Sequence, residues 1–205
     1  KSVLLSYLVN NWLELAGVIS GLVCVWLLIK ENVLTFPVGL IYALITVIVV
    51  ARANLFADVL LNLYYVLMNA YGWYYWVYGG AQQRQQGILK PIRTSKLTNL
   101  NLVAVTLLGS VLMGWVFSEF SNADLAYADS FTTVASFTAM WMTARKHLYS
   151  WVAWFIIDAV QIVLYLTKGV DGQPGLFLYA GLYTVYLAMA VIGFRSWQKS
   201  MQDVT

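Results

Sequence analysis

Charge is scarce in this sequence. Of its 205 residues, 12 are Lys or Arg and 9 are Asp or Glu, so 10% are charged, where a soluble domain carries about a quarter. That shortage excludes a globular surface bathed in water. Cysteine occurs once, at Cys24, which rules out a disulfide within the chain; mid-helix between Val23 and Val25 it reads as a small buried hydrophobe. Histidine also occurs once, at His147, in a polar turn with no cysteine or second histidine nearby, so neither metal nor cofactor is expected. There is no Walker loop, no nucleophile elbow and no soluble domain to hydrolyse ATP, so an enzyme is not expected either. Lys1–Trp12 lacks the apolar core and small-residue site of a cleavable signal peptide. The chain starts with lysine, which leaves room for native tails. A net charge of +3 is modest, and no nucleic-acid partner is expected.

What is present is apolar. Hydrophobic residues make up 61% of the chain and the mean hydropathy is +0.72, the signature of an integral protein of a lipid bilayer. Seven spans are predicted, at 11–30, 33–51, 55–78, 97–117, 125–145, 149–167 and 174–194. Polar breaks separate them at Lys30-Glu31-Asn32, Arg52-Ala53-Asn54, Gly79–Lys96, Ser118–Asp124, Arg145-Lys146-His147 and Lys168–Pro174. One face of the membrane then receives Lys1, Arg52 and Lys168; the other receives Lys30, Arg84, Lys90, Arg93, Lys96, Arg145, Lys146, Arg195 and Lys199. Nine cations against three put the C-terminus in the cytoplasm and the N-terminus outside. The Gln82–Lys96 segment is then expected to be a solvated cytoplasmic connector that touches lipid headgroups.

The chain also resembles itself. An offset of 115 lays Glu14 on Asp129, Trp26 on Trp141, Lys30 on Arg145 and Ile41 on Ile156. An offset of 121 lays Tyr65 on Tyr186, Met68 on Met189, Gly72 on Gly193 and Trp76 on Trp197. The expected fold is therefore an all-α membrane protein with two parallel three-helix repeats, 11–78 and 125–197, joined through 79–124 by a linker helix. Transporters so built hold substrate near the midplane, between the repeats.

Polar residues on the spans fall into stripes. In span 6, Trp151, Trp154, Asp158, Gln161 and Tyr165 follow at spacings of 3, 4, 3 and 4, one face of a helix. An acid at the middle of such a span usually faces a bundle interior or a wet cavity. Span 3 carries Asp58, Asn62, Tyr65 and Asn69, and span 7 carries Tyr179, Tyr183 and Tyr186. Span 5 has a weaker line, Asp129, Thr132, Ser136, Met140 and Thr143. Together spans 3, 6 and 7 would enclose a cavity of amides, phenols, indoles and one acid, suited to a neutral or cationic molecule with a flat ring. Helix-to-helix hydrogen bonding is the competing reading of these stripes, and proton carriage is a further one for Asp158. Asp58, Glu14 and Asp129 are read as structural or, for Asp58, gating. Pro37 begins or kinks span 2, with a hinge as the sharper alternative. Gly17 and Gly21 form a GxxxG close-packing pair.

Glu14, Lys30-Glu31-Asn32, Pro37-x-Gly39, Leu55-Phe56-Ala57-Asp58, Gly72-Trp73-Tyr74-Tyr75-Trp76 and Trp154-Phe155-Ile156-Ile157-Asp158 together resemble the PnuC family of vitamin transporters over about residues 12–197. One departure is Asn62, where the family usually has glutamine. The resemblance implies uptake of nicotinamide riboside across a bacterial inner membrane by facilitated diffusion, with a cytoplasmic riboside kinase trapping the product in NAD biosynthesis. It also implies a three-plus-one-plus-three plan like the SWEET sugar transporters, and a homotrimer. The expected substrate-binding residues are Asn62, Tyr65, Asn69, Trp154, Asp158, Gln161 and Tyr186. Trp154 would stack on the ring, the amides would read carboxamide or ribose, and Asp158 would hold hydroxyls or the ring charge. The alternatives are a SWEET-like sugar or other nucleoside facilitator, and a receptor or structural membrane protein without flux.

Overall fold

The computed structural model describes residues 12–52, 56–85, 88–120, 125–170 and 176–202. Among these residues seven helices follow in order: α1 (Trp12–Ile29), α2 (Thr35–Arg52), α3 (Phe56–Tyr78), α4 (Lys96–Phe120), α5 (Ala126–Ala144), α6 (Ser150–Val170) and α7 (Leu176–Gln202). The shortest have 18 residues, roughly 27 Å at 1.5 Å per residue, close to the thickness of a hydrocarbon core. Among the described residues, Lys96–Glu119, Ser150–Thr167 and Phe177–Gln202 are long and apolar enough to cross a membrane, and Ala16–Ile29 and Thr35–Ile48 are shorter apolar helices. The expected breaks at Arg52-Ala53-Asn54, Ser118–Asp124 and Lys168–Pro174, with the Lys1–Trp12 segment, fall wholly or partly outside the described residues.

The chain divides into two compact units, the first ending at Gly80 and the second starting at Ala81. In the first, α1 packs on α2 and α2 on α3; in the second, α4, α5, α6 and α7 pack in chain order. Helix α4 explains what holds such helices in place. Its outer residues are large and exposed, among them Leu100, Leu108, Val111 and Leu112, while Thr106 and Ser110 are buried. The Thr106 and Thr138 hydroxyls meet at 2.9 Å, and Gly109 and Gly114 take the Val134 and Tyr127 side chains of α5. Apolar outside and small or polar inside is the arrangement a lipid solvent favours.

Two turns share one hydrogen-bond pattern. After α1, Glu31 N–H donates to Leu28 O at 3.0 Å and Asn32 N–H to Leu27 O at 2.9 Å; after α5, Lys146 N–H donates to Thr143 O and His147 N–H to Met142 O, both at 2.9 Å. Each is a Schellman cap, and each puts a non-glycine residue in the left-handed region, Glu31 at φ 54° and Lys146 at φ 58°. The packing beyond the turns repeats too. Phe36 lies over Gly72 and edge-on to Trp76, with ring centroids 5.0 Å apart. Trp151 lies over Gly193 and edge-on to Trp197 at 5.4 Å. Pro37 sits in the first turn of α2, where its missing N–H costs no helical bond, so it begins the helix.

The structure corrects the reading of Gln82–Lys96 as a solvated connector. Arg84–Gln85 pairs antiparallel with Ile88–Leu89, so a short two-stranded pairing joins the helices, and the segment beyond it docks on the α5–α6 turn. Ile92 N–H donates to Lys146 O at 3.1 Å and Ile92 O accepts from Leu148 N–H at 2.8 Å. Lys146 is buried, and its ammonium donates to Leu89 O at 2.7 Å. The Gln83 amide donates to Lys90 O at 2.7 Å and Arg145 O at 3.3 Å. His147 is buried as well, sharing a 2.9 Å hydrogen bond with the Thr94 hydroxyl and stacking on Trp141. Lys90 reaches Ser200 O at 3.3 Å. That contact and the complete burial of Trp197 account for α7 running to Gln202, eight residues past the expected end at 194.

Candidate functional site

In the first unit, the α3 stripe supplies two buried amides, Asn62 and Asn69, with Tyr65 half-buried between them. Asn69 Nδ2 donates back to Tyr65 O at 2.8 Å, and its Oδ1 lies against Gly39 of α2. Only a glycine at 39 admits that approach. Asp58 starts the stripe within α3, but its side chain lies outside the described residues. Cys24, expected as a plain hydrophobe, is tied in by polar contacts: its Sγ is 3.3 Å from Thr35 O, and the Thr35 hydroxyl donates to Cys24 O at 2.8 Å.

In the second unit, α6 places Asp158 at 5% exposure, with Gln161 half-buried one turn on. Neither side chain makes a hydrogen bond or ion pair with any described residue. An acid buried in a membrane helix without a partner costs a few kcal/mol, and helices rarely keep such a group unless something else meets it. The indole of Trp154, one turn earlier, donates to the Thr143 hydroxyl of α5 at 3.0 Å. Beyond Gln161, Tyr165 stacks on Tyr179 at 5.5 Å and meets Tyr183 at a tilt at 5.4 Å, and Tyr183 meets Tyr186 edge-on at 5.9 Å. Trp151 departs from the stripe: it turns into the α6–α7 packing on Gly193 and Trp197. Among the described residues no group of three His, Cys, Asp or Glu side chains is placed to hold a metal.

The nicotinamide mononucleotide transporter family matches residues 11–199. This chain belongs to that family. Among its relatives, the nicotinamide riboside transporter PnuC of Escherichia coli (strain K12) is 24% identical over 94% of this chain and 87% of its own length. The riboflavin/roseoflavin transporter RibM of Streptomyces davaonensis is 22% identical over 91% of this chain and 84% of its own. A crystal structure of the vitamin B3 transporter PnuC superposes with a TM-score of 0.76 at 20% identity, covering 100% of this chain and 88% of that one. The fold is therefore that of an integral membrane helical protein of this family.

Within that frame, Asn62, Tyr65 and Asn69 share one helix of the first unit, and Trp154, Asp158, Gln161 and Tyr186 stand on two adjacent helices of the second. Sequence reasoning gave Thr143 only a place in a weak polar stripe. Its bond to Trp154 links residues 11 apart, and periodicity within a single helix carries no sign of such a pairing.

Proposed function

We propose that this chain is a nicotinamide riboside transporter of the bacterial inner membrane, bound through Asn62, Tyr65, Asn69, Trp154, Asp158, Gln161 and Tyr186. The observation that carries the reading is Asp158: a buried acid with no protein partner among the described residues, one turn from an indole and one turn from an amide. Nicotinamide riboside brings a cationic planar ring, a carboxamide and ribose hydroxyls. An acid, amides and an indole face match each of these in turn. The names of the relatives support a flat vitamin carrying a sugar or sugar alcohol.

Transport is by facilitated diffusion, and a cytoplasmic kinase traps the riboside. A phosphate of about −2 charge would be repelled by the acid that welcomes the riboside. The repeat reading, 11–78 and 125–197 about the linker α4, is supported by the two matched Schellman turns and the two aromatic–glycine–tryptophan stacks. The homotrimer follows from the family resemblance.

The test is riboside binding to the purified protein by tryptophan fluorescence, beside Trp154→Ala and Asp158→Ala. Saturable quenching, weakened at least about tenfold by either change, is expected; that is the loss of roughly one charge-assisted contact. Wild-type affinity in both variants would remove the basis for the site. Riboflavin bound in preference to the riboside would place the chain's substrate with that of RibM, and a sugar bound in preference to either would favour the SWEET-like reading.

A further inference from the structure

We infer that Thr143 is a positioning residue for the substrate ring, holding the Trp154 indole in the orientation that stacks. The inference rests on the reading of Trp154 as the stacking face. Thr143 is buried near the end of α5, and its hydroxyl hydrogen is already spent on Ala139 O at 2.9 Å. A hydroxyl has one hydrogen and two lone pairs, and an indole N–H can only donate. The Trp154 Nε1–H to Thr143 Oγ1 bond of 3.0 Å therefore has a single possible direction. It pins the polar edge of a half-buried ring to a neighbouring helix, beside the packed cluster of Ala135, Ala139 and Ile157.

A second observation separates this bond from ordinary packing. The packing devices of the two units repeat at equivalent positions: Phe36, Gly72 and Trp76 match Trp151, Gly193 and Trp197. The Thr143–Trp154 pair does not. At the offset of 115, its counterparts are Leu28 and Gly39, which have neither an acceptor side chain nor a ring. A polar pair found in one copy alone is not part of the packing that the two copies share.

The experiment uses the purified full-length chain with Thr143→Val, which keeps the shape and deletes the acceptor, and Thr143→Ser, which keeps the acceptor. Riboside affinity is read by calorimetry, and the Trp154 indole N–H resonance is read without ligand, assigned by its loss in Trp154→Phe. Thr143→Val is expected to weaken binding about five- to tenfold, the loss of about one hydrogen bond, and to move the resonance. Thr143→Ser should stay within about threefold of wild type on the same scale. In the Trp154→Phe background, Thr143→Val should add no further loss, because the donor is already gone. Unchanged affinity in Thr143→Val, or a loss that persists undiminished beside Trp154→Phe, would overturn the inference. If Thr143→Val does not fold, Thr143→Ala carries the same comparison. A wild-type protein that binds no riboside would sink the functional reading instead, and a resonance unmoved in Thr143→Val would then dispose of the pairing on its own.

Discussion

At the scale of single residues, the proposed site depends on what is small as much as on what is polar. Gly39 permits Asn69 Oδ1 to lie against the α2 backbone; a Cβ there would collide with that oxygen and press on Cys24 Sγ at 3.1 Å. Asn69 is buried and tied to Tyr65 O, so it has little room to withdraw. Gly39→Ala should therefore cost about 1–3 kcal/mol of stability and weaken riboside binding, because the amide is what moves. Gly17→Ala is the control: its nearest neighbour would be Ile45 Cγ2 at 3.8 Å, an ordinary contact, so binding and melting should stay near wild type. Equal affinity in the two variants would mean that Asn69 is not a contact. The spacing of Asn62, Tyr65 and Asn69 was legible in the sequence because one helix fixes it. Which atoms of Asn69 are already engaged was not, since that depends on the approach of a second helix.

At the scale of elements, the helices were legible and the docked Gln82–Lys96 strap was not. Apolar length alone marks α1 to α7 within a few residues, apart from the end of α7. The QQRQQGILKPIRTSK stretch has no hydrophobic period, and its docking runs largely through backbone groups and one buried ammonium, to which pattern reasoning is blind. Lys146 and His147 read only as part of a polar turn for the same reason. The strap makes the α5–α6 turn sensitive to acid. Burial, and then the neighbouring Arg145 charge, push the pKa of His147 down to about 4, against about 6.5 in an unfolded chain. The folded state thus resists a proton that the unfolded state accepts below pH 6.5. The stability from neutral His147 is complete above about pH 6.5 and is lost as pH falls toward 4. The melting temperature of the purified protein should fall across that window, and His147→Gln, which cannot gain the charge, should flatten the fall. The same slope in both proteins would assign the acid sensitivity elsewhere.

At the scale of the molecule, the matched turns bear on how the chain sits in its bilayer. From the α1–α2 turn to the α5–α6 turn the chain passes through four helices, and an even number of crossings returns it to the side it left. If every helix spans, Lys30, the α5–α6 turn and Lys199 share one side, and Glu119 at the end of α4 lies on the other. Nine of the twelve cations would fall on the first side by the same count, and the positive-inside rule would then assign that side to the cytoplasm. With Cys24 replaced by serine, which keeps a hydroxyl for Thr35, single cysteines at these exposed positions report the arrangement. An impermeant maleimide on intact cells should label Glu119→Cys alone, and should reach Lys30→Cys and Lys199→Cys only after the membrane is opened. Labelling of Lys30→Cys and Lys199→Cys but not Glu119→Cys would invert the orientation while preserving the parallel repeats. Labelling that separates Lys30→Cys from Lys199→Cys would break the repeats themselves, because an odd number of crossings would then lie between the ends of two helices, α1 and α7, that six spanning helices should bring to the same side.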